Sequence, residues 1–292
     1  MEITVIDALA YVFTFSIFVA VISAIFSAQY QSTGVFNLAI PGYAVFGGVL
    51  TYAMIRRFLV YPYYTIPFCI VIGILIGAVQ WKHLSLLQER KRKPELVLLS
   101  CLGFLIVLEG LAYTLSYFLR PLFYSYLTTP DWFEYYILNI PLIKIIGVIF
   151  LLLSPYEIRK LERKGIFYKA NAENTELAQI QGFNTYRFNQ RLWIISGAII
   201  CIIGSLIAVE FPYTINSFTF VLSPLVLAGA FLGGIKSTRM AFIGGFYVAA
   251  LETLTRMVLQ QYSVYLSEYS YLIPIAILSL TLFYKSHKRQ LQ

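Results

Sequence analysis

The sequence predicts an all-α fold: a polytopic membrane bundle of about eight or nine transmembrane helices, with one or more broken or re-entrant segments. The chain has 292 residues, of which 59% are hydrophobic and only 12% charged, whereas about a quarter of residues are charged in globular proteins. About nine helices of about 20 residues account for most of this apolar excess. No polar stretch exceeds about 40 residues, too short to bury its own core. We therefore expect one transmembrane domain over 1–292 and no separate catalytic domain.

The elements follow in order as nine apolar blocks, each long enough to cross, or nearly cross, a hydrocarbon core about 30 Å thick. The first block carries Asp7 and follows Met1-Glu2 rather than a basic stretch, so we expect a membrane helix and not a cleavable signal peptide. The two blocks joined by residues 236–239 either span fully or re-enter. The blocks are 5–28, 34–55, 63–81, 95–119, 136–155, 191–210, 218–235, 240–259 and 269–285.

The basic residues orient these spans. If nine spans alternate, 17 of the 22 Lys and Arg residues fall in connections on one side. Lys and Arg are retained on the cytoplasmic side, so we expect an N-terminus outside and a C-terminus in the cytoplasm. The net charge of +8 is then a topology signal and does not indicate nucleic-acid binding. The other five basic residues are Arg56, Arg57, Arg120, Lys144 and Arg256.

An interruption is predicted early in the block 34–55, where Asn37 and Ala39 are followed by Pro41 and Gly42. Pro removes a backbone donor and Gly loosens the turn, so we expect the helix to break or kink at Pro41 and Gly42. A break at membrane depth is tolerated only against protein or a water-filled cavity. These residues therefore either line a transport path or form a kink used for packing.

The loop of about 156–190 is the longest polar stretch. Glu176, Ala178 and Gly182 stand in it at relative positions one, three and seven. A short helix starting near Asn174, with a carboxylate in its first turn and a glycine at its end, fits this pattern. Such a helix at the cytoplasmic surface would transmit force from a soluble partner, or it is an ordinary amphipathic surface helix.

Two glycine pairs flank a charged tight turn and predict the close approach of two helices, as small residues allow in membranes. Residues 43–48 and 240–245 both end in Gly-Gly and share an Ala at their second position. Both would run from inside to outside, which indicates a parallel internal repeat. The glycine pairs are Gly233-Gly234 and Gly244-Gly245.

Ionisable residues inside apolar blocks are expensive unless they face a partner or a cavity. Glu252 and Arg256 are four residues apart, so we expect an intramembrane ion pair. Glu109 would lie about 21 Å along its helix, at 1.5 Å per residue. It either faces the path or pairs with Lys144 of the next block.

Chemistry on this chain is not expected. The three cysteines lie inside apolar blocks and both histidines lie in basic segments, so neither a metal site nor a nucleophile with its base is visible. A Gly-x-x-x-x-Gly-Lys-Ser/Thr phosphate loop is also absent from the sequence. An ion-coupled secondary transporter of a small polar solute, with Glu109 and the Glu252/Arg256 pair as its relay, is the alternative to an ATP-driven transport subunit.

Together these motifs resemble the membrane permeases of branched-chain amino-acid ABC importers. The resemblance runs from about Asp7 to Phe283 and is most specific over 177–184 with the following span and over 232–245. It implies that the segment of about 156–190 holds the coupling helix that docks on the ATPase. The residues that inherit a role from it are Glu176, Ala178 and Gly182 in coupling, and Asn37, Ala39 and Gly42 beside the translocation path.

The resemblance further implies a transport subunit and not an enzyme. It would work by alternating access in the plasma membrane, with a second permease subunit, homologous or identical, and an extracytoplasmic binding protein. No cofactor is expected on this chain, because ATP and Mg would bind two partner ATPase subunits. This sequence departs from the family by one inserted position between Asn37 and Gly42 and at the turn residues Lys236, Thr238, Arg239 and Met240. The resemblance implies a branched-chain or related amino acid as the substrate, and these departures keep urea and short amides open as alternatives.

Overall fold

The computed structural model describes most of the predicted spans. The predicted coupling residues Glu176, Ala178 and Gly182 lie outside the described residues, as do Lys144 and most of the block 136–155. The described residues are 5–58, 62–90, 93–119, 136–137, 140–141, 145–146, 149, 184–210 and 215–290.

Long helices make up nearly all of the described chain, which confirms the all-α membrane bundle. Each helix coincides with one of the apolar blocks. The helices are α1 (Val5–Thr33), α2 (Ile40–Phe58), α3 (Ile66–Glu89), α4 (Pro94–Leu119), α5 (Thr185–Glu210), α6 (Ile215–Gly233), α7 (Thr238–Tyr262) and α8 (Leu272–Gln290).

Six described helical stretches are long and apolar enough to cross a membrane, and the apolar parts of α2 and α6 are shorter. Of the two blocks that could be re-entrant, the one that forms α7 is therefore long enough to span the membrane, and only α6 could still be re-entrant. The six stretches are Ala8–Thr33, Tyr63–Glu89, Pro94–Tyr117, Thr185–Val209, Thr238–Tyr262 and Tyr265–Tyr284.

Short elements fill the connections. A 3₁₀ turn, Pro62–Thr65, leads into α3, and the helical turn Val264–Ser267 with a second 3₁₀ turn, Glu268–Tyr271, joins α7 to α8. Two short antiparallel strands, β1 (Tyr136–Ile137) and β2 (Ile140–Pro141), occupy the start of the block 136–155. A helix from residue 136 is thus wrong for these positions, where β-branched residues and a proline favour a strand edge.

The chain divides into two compact units, and the single domain over 1–292 stays a prediction. We call them the α2–α5 unit and the α6–α8 unit, after the helices that make up most of each. The α2–α5 unit comprises Gln29–Trp132 and Gly165–Phe220; the α6–α8 unit comprises Met1–Ala28, Phe133–Lys164 and Val221–Gln292.

Glycines set the helix crossings of the α2–α5 unit. A Cβ on Gly204 of α5 would overlap the backbone of Ala44 in α2, and one on Gly73 of α3 would overlap the backbone of Gly197 in α5. Small residues allow helix backbones to approach this closely in membranes, where packing rather than hydrophobicity drives association. α5 is thereby held against both α2 and α3, and its Trp193 is fully buried in a cluster with residues of α3 and α4.

The α6–α8 unit uses the predicted glycine pairs in the same way. A Cβ on Gly233 would overlap the backbone of Met240, and one on Gly244 would overlap that of Gly229. Gly234 lies in the turn with φ +102°, a conformation that favours glycine. The α6–α7 turn therefore needs small residues on both sides and a glycine at its start.

Candidate functional site

The interruption between α1 and α2 lies before the proline and not at it. α1 ends at Thr33, Gly34 follows with φ +69°, and α2 begins at Ile40. Pro41 is the second residue of α2, where its missing N–H would have no intrahelical partner in any case. The prediction of a break at Pro41 and Gly42 is therefore wrong in position, since Pro41 starts a helix here.

Asn37 lies at the centre of a buried polar network in the α2–α5 unit. Its Oδ1 accepts from the backbone N–H of Ala39 (3.1 Å) and from Nε2 of Gln80 (2.9 Å). Its Nδ2 donates to Oε1 of Gln29 (2.9 Å), and the Tyr43 hydroxyl donates to Gln80. All four polar side chains are buried. The network thus fixes the turn between α1 and α2 to α3 from inside the protein.

Two further predicted path residues also face protein. Ala39 is fully buried. A Cβ on Gly42 would lie 3.0 Å from Cδ1 of Leu105 and 3.1 Å from Cδ1 of Leu108, so the start of α2 packs closely on α4. Their role in a translocation path stays a prediction, while their role in packing is visible.

Glu109 lies half-buried on α4, among outward-facing apolar side chains. Its neighbours Ile106, Val107 and Leu111 are all more than half exposed. Its alternative partner, Lys144, lies outside the described residues, so both interpretations of Glu109 stay open.

Glu252 and Arg256 form an ion pair in the α6–α8 unit. Nη2 of Arg256 lies 2.6 Å from Oε1 of Glu252, whose side chain is fully buried. The same Oε1 accepts from the hydroxyl of Ser270 (2.7 Å), and Oε2 accepts from the hydroxyl of Thr253 (3.4 Å). The carboxylate is therefore neutralised and held by several donors, which ties α7 to the 3₁₀ turn before α8.

A second buried polar cluster was not predicted from the sequence. The Thr51 hydroxyl donates to the hydroxyl of Ser205 (2.6 Å) and lies 3.1 Å from that of Thr65 and 3.4 Å from Sγ of Cys69. These residues come from α2, α5, the first 3₁₀ turn and α3. The sequence signal for this cluster is the presence of single small polar residues inside apolar blocks, which was not used in the prediction.

A cavity of about 840 Å³ opens at the opposite end of the same unit. The end of α1, the end of α3, the start of α4 and the start of α5 line it. α5 begins after Asn184, whose side chain accepts from the backbone N–H of Arg187 (2.9 Å). The predicted coupling segment therefore rejoins the described chain beside this cavity. The sequence could have indicated this cavity only through the predicted topology, which assigns these four helix ends to one side of the membrane.

Comparison with known proteins assigns the chain to a class of transport protein. The family described as branched-chain amino acid transport system / permease component matches residues 8–282. A probable branched-chain amino acid transport permease protein LivH of Methanocaldococcus jannaschii is 27% identical over 234 residues, which cover 77% of this chain and 73% of the relative. No solved structure matches.

Proposed function

Since the chain belongs to the branched-chain amino acid transport permease family, we propose that it is the membrane subunit of an ATP-driven importer of branched-chain or related amino acids. The observation that carries this proposal is the family match over 8–282, nearly the whole chain. In this proposal the chain has no chemistry of its own. Two partner ATPase subunits bind ATP and Mg, a second permease subunit completes the path, and an extracytoplasmic binding protein delivers the substrate.

The proposed orientation in the plasma membrane has the N-terminus outside and the C-terminus in the cytoplasm. The 17 basic residues on one side support it, because Lys and Arg stay cytoplasmic. The cavity also supports the alternation of spans, because the four helix ends around it are all ends that this orientation assigns to the cytoplasm. One crossing more or one fewer between α4 and α5 would have placed the start of α5 on the other side.

In the proposed mechanism, the closing ATPases push on the segment that holds Glu176, Ala178 and Gly182, and the membrane subunits alternate their access. The position of α5 supports this route. α5 follows the segment directly along the chain, and its glycines pack tightly on α2 and α3. A displacement of α5 at its first turn would therefore reach the helices beside the buried turn at Asn37.

The ion-coupled alternative has less support. Its relay includes Glu252, but the Oε1 atom of this buried carboxylate already accepts hydrogen bonds from Arg256 and Ser270, as a structural ion pair does. Together with the family match, this favours the ATP-driven proposal.

The coupling proposal is tested by a Glu176→Ala/Gly182→Leu double variant. We expect it to insert normally but to retain at least about tenfold less ATPase subunit on co-purification, a loss of about 1.4 kcal/mol of association free energy. Glu173→Ala, which removes a carboxylate from the same segment, is the matched control and should retain its ATPase subunits. Unchanged ATPase association in the double variant would contradict the proposal.

A further inference from the structure

The cavity at the ends of α1, α3, α4 and α5 has two properties that packing does not explain. It contains carboxylates, Glu89 and Glu95, and its described lining residues include no Lys or Arg. It also has aromatic walls, since Trp81 lies with its ring centroid 5.7 Å from that of Tyr186, and both line the cavity. Carboxylates together with aromatic faces are the chemistry that recognises an organic ammonium group.

Two buried side chains that line this cavity each have one polar atom without a hydrogen-bond partner among the described residues. Trp81 is 3% exposed and Asn189 is 7% exposed. Nε1 of Trp81 and Oδ1 of Asn189 have no partner among the described residues. A buried polar atom without a partner costs free energy, so a native site that keeps one calls for an explanation. Here the two atoms are one donor and one acceptor on residues that line the same cavity as the carboxylates.

We propose that this cavity binds the primary ammonium group of an organic ligand. The ammonium lies between the carboxylates of Glu89 and Glu95 and the aromatic walls of Trp81 and Tyr186. Asn189 accepts a hydrogen bond from the ligand, and the Trp81 indole donates one to any acceptor beside the ammonium. An occupant held in this way bridges the ends of four helices next to the predicted coupling segment.

Two sources supply this chemistry: a free amino acid and the ethanolamine headgroup of a membrane lipid. The amino-acid source rests on the proposed function, because it takes the cavity to face the cytoplasm of a cell that imports amino acids. The lipid source needs only that the helix ends lie at a membrane surface. The experiment below separates the two.

Trp81 is itself the reporter for the test. The chain has three tryptophans, Trp81, Trp132 and Trp193, so Trp132→Phe gives a background with one tryptophan in the cavity and one in the core. This full-length protein is placed in phosphatidylcholine nanodiscs. It is then titrated with L-leucine, with isoamylamine, which lacks the carboxylate, and with isocaproate, which lacks the ammonium.

We expect a saturable fluorescence change with isoamylamine and L-leucine, none with isocaproate, and loss of the change in Trp81→Phe. Glu89→Gln/Glu95→Gln should raise the Kd for isoamylamine at least about tenfold, because bonds to charged groups are the stronger ones. Glu268→Gln, which removes a carboxylate from the connection between α7 and α8, is the matched control and should leave the Kd unchanged.

Nanodiscs that contain phosphatidylethanolamine identify the source. If this lipid alone produces the fluorescence change, and the double variant abolishes it, the lipid headgroup occupies the site. If the lipid has no effect and L-leucine binds, the amino acid occupies it.

The absence of any saturable change with isoamylamine, or an equal Kd in the double variant, would overturn the proposal. Binding is measured on this chain alone, so a failed ATPase co-purification contradicts the proposed function without touching this site. Conversely, a chain that retains its ATPase subunits but binds no isoamylamine supports the proposed function and contradicts the proposed binding site.

Discussion

At the residue scale, the helical glycines in the described part of the chain fall into two groups. Most helical glycines lie against the backbone of a neighbouring helix, as Gly204 does against Ala44 and Gly73 against Gly197. On α4, by contrast, a Cβ on Gly110 would meet open space. Because a glycine in a helix is unfavourable by about 1 kcal/mol relative to alanine, the first group is explained by close helix approach.

This difference predicts opposite outcomes for the same substitution. Gly204→Ala should destabilise the protein by about 1 to 3 kcal/mol, since the added methyl overlaps the backbone of α2. Gly110→Ala is the matched control and should leave stability unchanged or slightly raised. The thermal unfolding midpoint of the purified protein in detergent measures both. Equal midpoints for the two variants would contradict the packing described for α5.

The buried network around Asn37 shows which features local sequence patterns can predict and which they cannot. The sequence indicated that the stretch from Asn37 to Gly42 departs from a plain helix, because Pro and Gly are strong local signals. It gave no means of identifying Gln29 and Gln80 as the partners of Asn37. Those contacts depend on how three helices meet, and this is not encoded in any local spacing.

At the element scale, two helix–turn–helix connections are built alike. Gly34 after α1 and Gly234 after α6 both have positive φ, and both donate their N–H to the carbonyl four residues earlier. Three residues later, the side chain of Asn37 accepts the backbone N–H of Ala39, directly before α2, and that of Ser237 accepts the N–H of Met240 in α7. The following helices, α2 and α7, each carry the Gly-Gly pair from which the sequence predicted a parallel repeat. The shared turn geometry adds support to that prediction.

The connection from α7 to α8 depends on the Glu252/Arg256 pair. Arg256→Gln should destabilise the protein by about 3 to 5 kcal/mol, because it leaves a buried carboxylate without its cation. The Glu252→Gln/Arg256→Gln double variant removes both charges and should recover much of that loss. Denaturant or thermal unfolding of the wild type, both single variants and the double variant measures the coupling. Strictly additive losses would show that the pair has no mutual stabilisation.

At the scale of the whole molecule, the sequence predicted the positions and order of the described helices better than their packing. Each described long helix coincides with an apolar block, because length and apolar content alone define a span. The burial of each helix was not predicted, because a helix that is apolar on all sides carries no sequence pattern that distinguishes its protein-facing side from its lipid-facing side. α1 and α5 are mostly buried while α4 and α8 are mostly exposed, a difference that depends on neighbours.

Orientation is the prediction that belongs to the whole molecule. The native cysteines Cys69, Cys101 and Cys201 are buried, so they should give little background with a membrane-impermeant maleimide. A cysteine that replaces Glu2 should react in intact cells, whereas one that replaces Gln292 should react only after permeabilisation. The reverse pattern of labelling would contradict the predicted topology.

The short α6–α7 turn has a consequence for how the protein enters the bilayer during synthesis. α7 has the lowest hydropathy of the six long stretches, 1.3, and carries both Glu252 and Arg256. A charged residue at a helix centre opposes insertion by the translocon. Only Gly234 to Ser237 separate α7 from the apolar α6, so the two emerge from the ribosome almost together. We expect them to insert as one helical hairpin, in which the favourable insertion of the apolar α6 offsets the unfavourable insertion of the charged residues of α7.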